Sequence, residues 1–208
     1  EAVHDKIVQT PGMFAKTRQG LQNILQYRQD CSCPTDIGTQ TVISKLNIAT
    51  LPETFAFLRR LLPDSKLNLT FPHPNGNANS TKVVPRYSEI KPYLQQCLEQ
   101  FAPYLRTEAI PACYLYPYQA LVDNNADAHL LQSDSIRAGI DKSNTSANFF
   151  DKDGKIKDYR QVLLSDKRKI PACQDCVFDQ DCCGVWKEYL ELYKDNLDLL
   201  PIKHIKSP

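Results

Sequence analysis

Four of the chain's eight cysteines fall between Ile170 and Tyr193, in IPACQDCVFDQDCCGVWKEYLELY. Cys173, Cys176 and Cys182 stand as C-x2-C-x5-C, with Cys183 adjoining the third and Gly184 behind it. This window constrains the fold most, because thiols so close in sequence are either ligands of one centre or halves of disulfides. Two thiolates separated by two residues can turn back onto one metal, whereas a disulfide across the same gap belongs to redox motifs beside a βαβ unit. Four thiolates suit a tetrahedral zinc or a [4Fe–4S] cluster. Cys183 is a poor fourth arm, since adjacent cysteines rarely both reach one centre. Cys113 is the better candidate, because the phrase IPAC occurs at Ile110 to Cys113 and again at Ile170 to Cys173. In each, the proline removes a backbone donor and stiffens the approach to the thiol. The competing reading makes Cys113 a small buried hydrophobe.

The first half of the chain alternates helix and strand. Phe14, Leu21, Ile24 and Leu25 are spaced for one helical face over Met13 to Tyr27, after the Pro11-Gly12 break. A polar stretch, Arg28 to Asp36, holds Cys31 and Cys33. Thr39 to Asn47, TQTVISKLN, reads as a strand. Thr50 and Glu53 form a capping-box pattern with Pro52 in the first turn, opening a helix to Leu62. Leu67 to Phe71 is the next strand, ended by the Pro/Gly/Asn loop HPNGNANS. A second long helix after Ser88 is expected to bury Ile90, Tyr93, Cys97, Leu98, Phe101 and Leu105. This order is that of βα units with parallel strands, and two strands cannot close a barrel or cover their edges.

From Ile110 the chain is turn-rich, with Pro117, Asp123-Asn124-Asn125 and Asp151 to Gly154, a short strand expected at Tyr159 to Ser165, and a closing helix over Trp186 to Leu197. Charge is nearly balanced, 25 basic against 24 acidic residues, which leaves no electrostatic footprint for nucleic acid. Lys167-Arg168-Lys169 reads as a solvated face. No apolar run has the length of a membrane span, and EAVHDKIVQT has the features of no signal peptide. The start on Glu1 fits a mature form or a piece of a longer protein. Sequons at Asn68, Asn79 and Asn144 are the sole support for a secreted disulfide protein.

Several stretches resemble radical S-adenosylmethionine enzymes with a C-terminal auxiliary-cluster extension of the SPASM or twitch type. The resemblance is colinear from about His4 to Ile202. HDKIVQTPGMFAKTRQGLQNIL is similar to the segment after the fourth barrel strand, TQTVISKLN to the fifth strand, FPHPNGNA to the end of the sixth, and VPRYSEIKPYLQQCLEQF to the helix that follows. IPAC and then C-x2-C-x5-C-x-G with VWKEYLELY resemble the auxiliary-cluster portion, the most specific match. The family's C-x3-C-x2-C is absent, as are its early strands and their Gly-Gly-Glu segment.

The resemblance implies an α/β fold: the last βα units of a partial (β/α) barrel over residues 1–107, then an irregular cysteine-rich auxiliary-cluster domain over 108–208. It implies an auxiliary [4Fe–4S] cluster on Cys113, Cys173, Cys176 and Cys182, with Cys183 a bystander and Gly184 and the Trp186-Tyr189-Tyr193 helix as a cap. In the family S-adenosylmethionine is reduced to a 5′-deoxyadenosyl radical that abstracts a substrate hydrogen. Barrel sites lie at the C-terminal ends of strands, so Gln40 to Asn47 and His73 to Asn79 are expected to line the site, with Gln40 and Asn47 toward S-adenosylmethionine. Read singly, these are solvated loop residues, and His73 and His129 lack a partner pattern. Lacking the catalytic cluster motif, this chain alone is not expected to cleave S-adenosylmethionine. The reading places an oxidoreductase or modifying enzyme's C-terminal part in the cytoplasm, acting on an unidentified substrate of peptide or protein type. The missing barrel half or another chain would cover the strand edges. The rival from another class is a non-enzymatic module with a structural four-cysteine zinc site and a partner-binding helical surface.

Overall fold

The computed structural model describes residues 1–31, 37–122, 148–150, 156–158, 165–194 and 197–203. Cys33, His129, Asn144, the turns at Asp123-Asn124-Asn125 and Asp151 to Gly154, and the strand expected from Tyr159 through residue 164 lie outside the described residues. Two helices open the chain, α1 (Ala2–Ile7) and α2 (Met13–Cys31). Then follow β1 (Thr39–Val42), α3 (Leu51–Leu61), β2 (Leu67–Thr70), α4 (Tyr87–Phe101), β3 (Leu105–Glu108) and the one-turn α5 (Ala112–Leu115). β4 (Asn148–Phe150) pairs antiparallel with β5 (Ile156–Asp158), and β6 (Lys167–Arg168) with β7 (Val185–Trp186), which leads into α6 (Lys187–Leu192).

β1, β2 and β3 form a parallel sheet in that order, Thr39 opposite Leu67 and Leu67 opposite Leu105. Two strands were expected in this half. The third, LRTE, follows α4 after an interval of three residues and so reads as the tail of that helix, and Leu105 belongs to it rather than to α4. The three strands do not close a barrel. β3 also crosses the boundary expected after residue 107.

The sheet has two unlike faces. Leu67, Leu69 and Leu105 are fully buried and share one core with Phe55 of α3 and with Ile90, Leu94 and Leu98 of α4. Across the sheet the register aligns Gln40 with Asn68 and Arg106, and Val42 with Thr70 and Glu108. That second face is polar and at least partly exposed. Parallel sheets with helices on both faces carry apolar residues on both; this one has an apolar face only toward α3 and α4.

Local chemistry explains where several elements stop. β1 ends at Val42 because the Asn47 amide folds the chain back: its Oδ1 accepts from the Ser44 N–H at 2.8 Å and its Nδ2 donates to the Val42 carbonyl at 2.9 Å. The expected Thr50 cap is not made. The Thr50 hydroxyl donates instead to the Asn47 carbonyl at 3.1 Å. At α4 the box is closed by Glu89, whose carboxylate accepts from the Arg86 N–H at 2.5 Å. Tyr93 and Phe101 are half-buried, and Tyr87 and Leu94 take the buried positions.

The cysteine-rich half shares the sheet's core. Tyr87 stacks on Phe71 with ring centroids 4.1 Å apart, and Tyr189 of α6 meets Tyr87 edge-on at 4.8 Å. The Tyr189 hydroxyl accepts from the Tyr87 N–H at 3.1 Å and donates to Asp198 Oδ1 at 2.5 Å. The Tyr193 hydroxyl donates to the Val84 carbonyl at 2.7 Å. The closing helix is shorter than expected, because Trp186 is spent in β7 and Leu197 lies beyond the turn that follows Leu192. α2 buries none of its residues and is held by α1 and by the Phe14–Phe57 ring contact at 6.1 Å. Among the described residues no helix is long and apolar enough to cross a membrane.

Tyr189→Phe keeps the ring but removes both hydroxyl bonds, the one from the buried Tyr87 N–H and the one to Asp198 Oδ1. A loss of about 1–3 kcal/mol is expected in urea unfolding, with Phe71 packing intact. At the other end, Asp5 accepts from the Gly12 N–H at 2.6 Å and the Phe14 N–H at 2.7 Å. The Phe14 bond is the main cause holding its carboxyl below the ordinary carboxylate value. A depressed folded value means the stabilisation is present above the unfolded value, about pH 4. It is lost as pH falls through the depressed one. The Gly12 and Phe14 amide resonances should therefore move together in acid, and in Asp5→Asn they should not titrate.

Candidate metal centre

The β6–β7 pair pinches the chain at both ends of the cysteine window, Lys167 opposite Trp186 and Arg168 opposite Val185. Between them the backbone makes successive turns: Cys173 N–H to the Ile170 carbonyl at 2.9 Å, Cys176 N–H to the Cys173 carbonyl at 3.0 Å, and Asp179 N–H to the Cys176 carbonyl at 3.0 Å. The C-x2-C pair thus sits on one tight turn. The tail ties this loop down, through the Val177 N–H to the Ile202 carbonyl at 2.8 Å and a bridge between Cys176 and Lys203.

Each copy of the IPAC phrase leads into a helical turn, α-helical in the first and 3-10 in the second, with the start one residue out of step. In both copies the residue before the helical turn is extended, Pro111 ahead of α5 and Ile170 ahead of the 3-10 turn Pro171–Asp175. Pro171 opens its turn at the first helical position, where the missing N–H costs nothing, whereas Pro111 stands one residue before its turn. The cysteine comes within the first turn each time.

Cys113, Cys173, Cys176 and Cys182, the four cysteines singled out from the sequence, line one cleft of about 390 Å³, counted with the part open to solvent. Pro111, Val185, Leu199 and Pro201 give it apolar walls, and Lys169 and Asp179 stand at it as well. Cys183 is not among its lining residues. Burial first, and then the neighbouring Cys182, Cys176 and Cys173, push the Cys113 thiol up to about 12. Cys97 on α4 is also pushed up to about 12, by burial alone. The contrast separates the two roles: Cys97 is the packed small hydrophobe, and Cys113 belongs to a group of thiols. Cys173 is raised chiefly by burial, against which the Lys169 charge acts in the lowering direction. Thiols raised in this way stay protonated until a cation replaces the proton, which is how metal binding releases protons.

The donor set fits a thiolate-bound metal or cluster in kind. Among the described residues, however, no three His, Cys, Asp or Glu side chains stand close enough to grip a single ion. Tetrahedral zinc would require sulfur atoms about 3.8 Å apart, from a Zn–S bond of about 2.3 Å.

Gly184 is indispensable to the cleft wall. Its φ is +87°, and a Cβ there would lie 2.1 Å from the Arg168 carbonyl oxygen. Its N–H donates to the Cys182 sulfur at 3.4 Å. The expected aromatic cap is not where the sequence put it. Val185 lines the cleft, while Trp186 stacks on His73 at 4.2 Å and Tyr189 and Tyr193 pack into the sheet's core. The β6–β7 pairing causes this, since it turns successive residues to opposite sides.

The residues expected toward S-adenosylmethionine are not among those lining the thiol cleft. Gln40 is exposed on the polar sheet face, its Nε2 donating to Thr70 Oγ1 at 3.0 Å. Thr70 in turn donates to Glu108 Oε2 at 3.3 Å, so a polar row crosses the strand ends. Asn47 is buried and its amide is engaged at both ends in the turn after β1. His73, for which the sequence offered no partner, meets Glu188 Oε2 at 3.1 Å through Nε2. Glu188 lies 115 residues away, so no local pattern signals the pair. Asn68 lies on the central strand and Asn79 on an exposed turn.

Gly184→Ala combines a disfavoured backbone with a backbone clash, so a loss above about 1–3 kcal/mol is expected, with the cleft opened. Thermal unfolding and thiol-labelling rates of Cys182 check it; Gly20→Ala on exposed α2, which has open space around it, is the control. No family model, curated protein or solved structure matches this chain. The four thiols and their surroundings are thus the ground for its function.

Proposed function

We propose that the chain binds one [4Fe–4S] cluster on Cys113, Cys173, Cys176 and Cys182, as the auxiliary-cluster portion of a radical S-adenosylmethionine enzyme. The observation that carries this reading is the convergence of those four thiols on one cleft, although Cys113 lies sixty residues before Cys173. A cube presents a separate iron to each thiolate. A tetrahedral zinc would take the same four thiolates on one ion, so the donor set by itself suits either group. Supplied with the cluster, the site would exchange electrons, or hold substrate, beside the barrel portion. The chain's own part is to fix the thiolates, wall the cleft with apolar side chains and hold the window shut at β6–β7.

The sheet supports a partial barrel wall: three parallel strands in sequential order, helices against one face, and a polar opposite face carrying Gln40, Asn68, Thr70, Arg106 and Glu108. β1 and β3 each pair on one side only among the described residues. The missing barrel half or another chain would continue the sheet at such edges and supply the cluster that cleaves S-adenosylmethionine. Gln40 remains a candidate toward that ligand from the polar face. Asn47, with its amide engaged, shapes the turn beside it. Zinc is the second reading, since the donor set is the same and what favours the cluster is the family resemblance of the C-x2-C-x5-C-x-G window.

Anaerobic reconstitution with iron and sulfide should give a brown protein with about four iron and four sulfide per chain. Cys113→Ser, Cys173→Ser, Cys176→Ser and Cys182→Ser should each lower that content sharply, and Cys183→Ser should leave it unchanged. A colourless protein with one zinc and no sulfide would establish the zinc module instead. With reductant and S-adenosylmethionine, the loaded chain alone should form no 5′-deoxyadenosine.

A further inference from the structure

We infer that the Lys169–Asp179 ion pair sets the reduction potential of the cluster in the four-thiol cleft. This rests on the cluster reading above. Both residues line the cleft, and they bracket the Cys173–Cys176 turn. Lys169 Nζ donates to the Asp179 carboxylate at 2.9 Å and also to the Asp179 carbonyl. The two side chains are about one-third exposed, so their charges are only partly screened.

Lys169 is singled out from its neighbour by where the charge goes. Arg168 also borders the cleft, but its guanidinium donates to the carbonyls of Ser165 at 2.8 Å and Lys167 at 2.7 Å. The Lys169 ammonium instead spans the window to the Asp179 carboxylate at 2.9 Å, the one carboxylate among the cleft's lining residues. Asp175 and Asp181 lie in the same window, yet neither is among the lining residues. The cleft wall therefore carries two cations and one anion, and of these Lys169 and Asp179 are the two held against each other.

The sign follows from charge. An external low-potential reductant delivers one electron to the oxidised cluster, which becomes one unit more negative with no bond made or broken. Lys169 favours that reduced state and Asp179 opposes it. Removing either charge unbalances the pair in opposite senses, whereas a purely mechanical clamp would loosen in the same way from either side.

The test is a potentiometric titration of the reconstituted protein, followed by the electron paramagnetic resonance signal of the reduced cluster. Iron and sulfide content is measured first on each sample. Lys169→Met should lower the potential, Asp179→Asn should raise it, and Lys169→Arg, which keeps the charge, should stay near the unaltered protein. A loaded protein whose Lys169→Met and Asp179→Asn potentials move together, or do not move, overturns this inference alone. An unaltered protein that takes up no iron and sulfide overturns the cluster reading, and this one with it.

Discussion

Tyr189 is the point on which the two halves of the molecule depend. Its ring meets Phe71 and Tyr87, and its hydroxyl bridges the first residue of α4 and the carboxylate of Asp198. Asp198 also accepts from the Ser88 N–H at 2.5 Å, and the Tyr114 hydroxyl donates to its carbonyl at 2.5 Å. One aspartate in the tail thus answers donors from α4, α5 and α6. Buried hydroxyls and N–H groups are costly unless paired, so this small network fixes where α6 lies on the sheet unit.

The position of the thiols follows from that placement. α5 carries Cys113 directly before Tyr114, which is buried in the same core. α6 follows β7, and β7 holds the far end of the cysteine window against β6. Docking of these aromatic residues therefore brings Cys113 to the side of the window where Cys173, Cys176 and Cys182 stand. The cleft is a consequence of the core beneath it, and Gly184 allows the last close approach to the Arg168 backbone.

Much of this was legible locally. The amphipathic spacing of α3 and α4 and the β-branched run at β1 announce their elements, because burial of one face leaves a period in the sequence. The failures share a cause. β3 follows α4 after an interval of three residues, so its leucine reads as one more position of that helix, and its partner β2 is what makes it a strand. The Thr50 box lost to a competing bond with Asn47. Trp186 and Tyr189 looked like one helical stripe until the β6–β7 pairing took Trp186 into a strand. Each miss turned on a contact between residues that the local pattern does not connect.

The sequence by itself determined the types: thiols in C-x2-C-x5-C, a repeated IPAC phrase that starts a helical turn each time, and helix–strand alternation with one apolar stripe per helix. These follow from spacing and backbone preference within a few residues. Only the tertiary structure decided which of the described cysteines line one cleft, with Cys183 outside that lining and Cys97 in the core. It also decided that the sheet turns a polar face outward, and that His73 finds Glu188. Those outcomes depend on packing across long sequence separations, where the free energy is that of burying and pairing groups from different elements, and no local run of residues encodes it.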